Sequence, residues 1–218
     1  MRSRSFRIDL HTHSIASPDG GLRLQDYKDA LEAGQLDYIA ITDHDRIDFA
    51  LEAQQQLGER IIVGEEISTT DGEVIGLFLK EQVPPGLGLA ETVTQIQAQG
   101  GLVYVPHPFE TVRSGVSAEG LATIADAVAI IETYNGRAIF QDKGADAQRW
   151  AQTHDKAMAA SSDAHGRFGW RKTYSIVSQE PTAANLVELL RLARYATKRV
   201  GLGILYPKLN RIRNKQRD

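Results

Sequence analysis

The chain has 218 residues, 42% hydrophobic and 24% charged, which is the composition of one soluble globular domain with a sizeable core. It has no cysteine, so disulfides and thiolate metal ligands are excluded. The net charge of −3 is uneven: residues 198–218 hold seven bases and one acid, leaving 18 bases against 27 acids in the remainder.

The basic start, Met1-Arg2-Ser3-Arg4-Ser5, leads into an apolar stretch that Asp9 soon interrupts. That is neither a signal peptide nor a membrane span, and the expected compartment is the cytoplasm. Strands are predicted over 6–10, 37–42, 61–67, 73–79, 102–106, 128–133, 158–162 and 173–177. Between them, helices are predicted over 25–34, 46–58, 89–99, 117–125, 139–154 and 182–196. Segment 89–98 repeats apolar residues at helical spacing and stops at Gly100-Gly101, while 182–196 opens with Thr182 as a candidate N-cap. Tyr38-Ile39-Ala40-Ile41 and Ala127-Val128-Ala129-Ile130-Ile131 are continuous apolar runs, as buried parallel strands are. Ser68-Thr69-Thr70-Asp71-Gly72 joins two strands as a hairpin rather than a crossover. Repeated βα units of this length predict a distorted α/β barrel over residues 1–197, with a doubly wound sheet as the rival. Residues 198–218 read as a solvated basic tail, because they lack the aromatic series of a single-strand binder.

Five of the six histidines follow predicted strands. His11 and His13 are spaced to share one face and grip one cation. His44 stands in Thr42-Asp43-His44-Asp45, His107 in Val105-Pro106-His107-Pro108, and His165 in Ser162-Asp163-Ala164-His165. Glu66 closes another strand, sharing a face with Gly64 and leaving Glu65 on the other. Imidazole with carboxylate suits Zn, Mn, Fe or Ni better than Ca or Mg. These ligands follow at least five strands, and only a barrel gathers such strand ends at one rim. Asp19 also has the residue type of a turn, Asp43 and Asp45 read as capping or orienting groups, and His154 as a helix-end residue.

Together, His11-Thr12-His13, Ser17-Pro18-Asp19-Gly20, Thr42-Asp43-His44, Gly64-Glu65-Glu66, His107-Pro108 and Ser162-Asp163-Ala164-His165 resemble the polymerase and histidinol phosphatase (PHP) family of metal-dependent phosphoesterases. The resemblance implies a (β/α)7 TIM-like barrel with two or three divalent ions (Mn, Zn or Fe). His11, His13, Glu66 and Asp163 would hold the first ion. Glu66 would bridge to a second, shared with His107, and Asp19, His44 and His165 would hold a third. Relatives often place a further histidine or cysteine near 131–137; here Glu132, Asn135 or water would complete the second position. Glu73 stands where relatives often have histidine, and no inserted domain covers the site, so an open pocket is expected.

The implied activity is hydrolysis of a small phosphomonoester, a nucleotide or sugar phosphate, by a metal-activated water. Asp163 or His165 would pass the proton. Asn135, Arg137 and Arg171 are candidate substrate contacts, with Arg113 and Arg167 as further arginines near the rim. Rival readings are a 5′-directed nuclease acting on short nucleic acid, an amide, carbamate or ester hydrolase, and a non-catalytic metal-binding domain.

Overall fold

The computed structural model describes residues 4–139, 141–199 and 201–214. Its strands are β1 (Phe6–Asp9), β2 (Tyr38–Ile41), β3 (Ile61–Thr69), β4 (Gly72–Leu77), β5 (Leu102–Val105), β6 (Ile130–Asn135), β7 (Ala157–Ser161), β8 (Thr173–Val177) and β9 (Arg194–Thr197). The α-helices are α1 (Leu24–Glu32), α2 (Asp48–Leu57), α3 (Leu89–Ala98), α4 (Ala118–Thr123), α5 (Gly144–Thr153), α6 (Leu186–Arg191) and α7 (Tyr206–Asn214).

The strands form one sheet in the order β7-β6-β5-β4-β3-β2-β1-β8-β9. Pairings β1–β2, β2–β3, β5–β6 and β6–β7 are parallel; β4 runs antiparallel between β3 and β5, as the short Thr69–Gly72 connection dictates. At the seam, the Asp163 N–H donates to His11 O and the His13 N–H to Ala164 O, both at 2.9 Å. Ser175 of β8 bonds the backbone N and O of Ala160 in β7. The sheet thereby curls into a nearly closed, distorted α/β barrel, with nine strands among the described residues where the resemblance implied seven.

Alternation along the strands sets the two sides of the wall. Tyr38 and Ala40 of β2 join Ile8, Leu10, Ile62, Ile75, Leu77 and Tyr104 in the inner cluster, while Ile39 and Ile41 pack outward among helix residues such as Ala50 and Ala53. Helix α6 adds Leu186, Leu189 and Leu190 to the inner cluster. Ser117 caps α4 through the Gly120 N–H (2.9 Å).

Two expectations need correction. The helix predicted over 182–196 is shorter, with Asn185 rather than Thr182 at its N-cap. Arg194–Thr197 instead pairs antiparallel with β8, and the Tyr195 hydroxyl donates to Met158 O (3.1 Å). Edge pairing has overridden helical spacing there. Among the described residues after 198, Gly201–Leu205 forms a 3₁₀ turn and α7 packs at the barrel rim, where a solvated tail was expected. Among the described residues, no helix is long and apolar enough to cross a membrane.

Candidate metal centre

The loops after the strands bring the ligand candidates together. The His44 segment docks on β3, where Glu66 N donates to Asp43 O (3.1 Å) and Asp45 N to Glu66 O (3.0 Å). Asp43 accepts from the N–H and hydroxyl of Ser14, and Asp45 from those of Ser68, so both orient loops as their position suggested. His107 and Asp163 adopt left-handed φ values of 28° and 51°. Such conformations cost about 1–3 kcal/mol each and persist where surroundings fix them. The fixing bonds are His107 N to Glu132 Oε2 (2.8 Å) and Asp163 N to His11 O (2.9 Å).

Three groups of ligand atoms result, each lying within 4.8 Å of one another: His11, His13 and Asp163; His11, Glu66 and His107; and His13, Asp19, His44 and His165. Glu66 sits among them. Its Oε1 is 3.2 Å from His107 Nε2, and its Oε2 is 3.2 Å from both His11 Nε2 and His13 Nε2 and 3.4 Å from His44 Nδ1.

The donor chemistry fits divalent cations. Burial disfavours charge on Glu66, yet His11, His44 and the His107 bond hold its carboxyl well below the usual carboxylate range. Asp163 is likewise held low against burial, by Arg137 and His11. Burial opposes charge on His13 too, but Asp163 and Glu66 push it up to about 9. The pocket thus collects carboxylates that call for positive charge, and buried Nδ1 atoms of His13 and His107 have no partner among the described residues. Chelation is expected to lower the melting temperature by about 5–10 °C, since one site at a hundredfold excess over Kd contributes about 2.7 kcal/mol. A scan with and without EDTA checks this.

Glu132 takes a different role from the one left open for it. It accepts from His11 Nδ1 (3.2 Å), the Tyr104 hydroxyl (2.8 Å), His107 N (2.8 Å) and Asn135 Nδ2 (2.8 Å). It lies behind His11 and turns Nε2 of that ring toward the ligand cluster. Asn135 also serves the protein itself, donating to Asp163 Oδ2 (3.2 Å) and accepting from Arg113 (2.6 Å).

Of the arginines, Arg113 and Arg137 bond Asp163 at 2.8 and 3.0 Å and line a cavity of about 240 Å³ with Asp19, Glu66, His107 and His165. Arg171 does not line it: its guanidinium bonds Gln35 and lies over the Trp170 ring. Arg167 pairs with Asp26 (2.5 Å) and faces a neighbouring cavity of about 560 Å³, also lined by Arg23 and Arg213. His154 stacks on Trp150 at the end of α5, away from the ligands. Glu73 lines the ligand cavity 3.7 Å from His44 Nδ1, and burial with the charge of Glu66 pushes its carboxyl up to about 9. Sequence reading missed Asn210 and Arg211, which contact Asp19; only the basic character of the segment marked them.

Glu65 faces the other side of β3, accepting from Val83 N (2.9 Å) with Oε1 unpartnered among the described residues, and burial pushes its carboxyl up to about 7. The folded state therefore holds this proton more tightly than the unfolded chain, so stability is lost as pH rises through about 7. Glu65→Gln should stabilise the protein at pH 8, by at most about 3 kcal/mol, with the gain fading toward pH 5. Melting curves at both pH values check it, and an equal shift at each would contradict it.

Residues 9–194 match the model of the PHP domain. An uncharacterised protein of Methanocaldococcus jannaschii is 34% identical over 174 residues, covering 76% of this chain and 67% of that protein. Among solved structures, a two-domain protein of Bacteroides vulgatus, described as containing a predicted PHP-like metal-dependent phosphoesterase, aligns with a TM-score of 0.70 at 20% identity. The alignment covers 89% of this chain and 65% of that one. PsfC from Pseudomonas syringae aligns with a TM-score of 0.67 at 14% identity, covering 99% of this chain and all of that one. With its ligand motifs in order and its residues 9–194 matched to the family's model, this chain belongs to the PHP domain family.

Proposed function

We propose that the protein hydrolyses a phosphomonoester of a small molecule, such as a nucleotide or sugar phosphate. The observation that supports this best is the small cavity in which the ligand cluster and two largely buried arginines, Arg113 and Arg137, face the same space. Divalent cations held by the three ligand groups would acidify a water molecule and neutralise charge developing on phosphoryl oxygens. The protein's own groups supply position and proton transfer. Arg137 lines this cavity beside Asp163 and His165, where its guanidinium could also donate to a phosphate oxygen. Arg113 and Asn135 hold Asp163 Oδ2, while Oδ1 accepts from Arg137 (3.0 Å) and lies 3.7, 3.5 and 3.3 Å from His11, His13 and His165. In this reading Asp163 or His165, 3.3 Å apart at the edge of the ligand cluster, passes the proton of the attacking water to the departing alkoxide oxygen.

A second reading, removal of nucleotides from the 5′ end of a short single strand, is favoured by the adjacent cavity with Arg23, Arg167 and Arg213, which could hold a further phosphate. A phosphate-release screen with Mn²⁺, Zn²⁺ or Fe²⁺ over nucleotides, sugar phosphates and short oligonucleotides separates the two. Turnover of monophosphates with little salt dependence supports the first reading. Activity confined to oligonucleotides and falling steeply with salt supports the second. Hydrolysis of amides or carboxylic esters alone would overturn both.

A further inference from the structure

Helix α7 lies against the third ligand group. Asn210 Nδ2 donates to two backbone carbonyls at once, Asp19 O (2.9 Å) and His165 O (3.0 Å). Both residues belong to that group, yet they come from segments far apart in the chain. The next residue, Arg211, places Nη2 2.7 Å from Asp19 Oδ2. The other oxygen, Oδ1, remains 3.7 Å from His44 Nε2 and 3.5 Å from His165 Nε2.

The rim is cut to receive this helix. A Cβ on Gly166 would lie 2.7 Å from three carbons of the Tyr206 ring. One on Gly21 would lie 2.8 Å from Asn210 Nδ2 and 2.9 Å from His165 O. Real Cβ atoms essentially never approach so closely, so a side chain at either position would force Tyr206 or Asn210 to move.

We propose that α7 is a latch on the third metal position. Asn210 ties the backbones of Asp19 and His165 together, and Arg211 turns one oxygen of Asp19 toward the cation. Docking of the helix and cation binding by His13, Asp19, His44 and His165 therefore strengthen each other. Groups that orient a ligand typically change metal affinity about 10–100-fold. The guanidinium also repels a cation, but the Arg211 side chain is 61% exposed and solvent screens it, so orientation dominates. Asn210 and Arg211 act as positioning residues. The proposal rests on the metal-centre part of the functional reading and not on the substrate.

Linkage makes the test reciprocal, because a helix that favours the cation must be favoured by it. In full-length wild-type protein, trypsin cleavage after Lys208 and Arg211, followed by mass spectrometry, should slow about tenfold or more when Mn²⁺ is added. In His44→Ala, Mn²⁺ should still raise the melting temperature but no longer protect these bonds. In Asn210→Ala, equilibrium dialysis should find the weakest Mn²⁺ site weakened about 10–100-fold. The proposal is overturned by wild-type cleavage that ignores Mn²⁺, by undiminished protection in His44→Ala, or by unchanged Mn²⁺ affinities in Asn210→Ala. The first comparison needs no variant, so misfolding cannot imitate or mask its result. Linked cleavage without phosphate release from any substrate would sink the phosphoesterase reading and leave the latch standing.

Discussion

Glu66→Gln is expected to remove at least one metal ion per chain and to lower kcat/KM about a hundredfold or more. Glu66 is the carboxylate whose two oxygens face different histidines, Oε1 toward His107 and Oε2 toward His11, His13 and His44. A carboxylate between two cations offsets their mutual repulsion. Glutamine keeps the shape but loses the charge, and its amide nitrogen cannot be a ligand. A hundredfold loss corresponds to about 2.7 kcal/mol of transition-state stabilisation. Elemental analysis and kinetics on the same preparation measure both effects. Glu65→Gln is the control and should keep its metals, since its side chain bonds Val83 on the opposite face. Equal metal loss in both variants would contradict the face assignment.

Glu132→Ala is expected to be the most damaging change at a residue that supports the ligands from behind. It would strand four donors: His11 Nδ1, the Tyr104 hydroxyl, His107 N and Asn135 Nδ2. Removing one partner of a buried charged network costs about 3–5 kcal/mol. Metal affinity should also fall about 10–100-fold, because His11 loses the bond that fixes its ring and His107 the bond that supports its left-handed backbone. Denaturant melts with and without Mn²⁺ separate the two losses. A variant as stable as the wild type with unchanged Mn²⁺ affinity would show that Glu132 is a bystander.

The parts legible in the sequence are those set by local rules. The apolar runs of β2 and β6, the hairpin at Thr69–Gly72 and the opposite facing of Glu65 and Glu66 all follow from alternation and turn chemistry. The gathering of histidines from separate strand ends followed from topology, since a barrel rim is where those ends meet. What escaped depends on long-range contact. Arg194–Thr197 continues a helical spacing but finds a free edge on β8. Arg171 lies six residues beyond His165 and reads as a rim residue, yet its backbone turns through φ 65° and its side chain goes to Gln35 and Trp170. The basic segment after 198 reads as solvated because nothing local reveals that Gly21 and Gly166 leave room for Tyr206 and Asn210.

Anomalous scattering from crystals grown with Mn²⁺ tests the central claim, one shared metal centre at the barrel rim, most directly. Two or three peaks are expected, about 2.0–2.3 Å from ligand atoms of His11, His13, Glu66, His107 and Asp163, and of Asp19, His44 and His165 for the third. A metal-saturated crystal with no peak between these side chains would contradict the account.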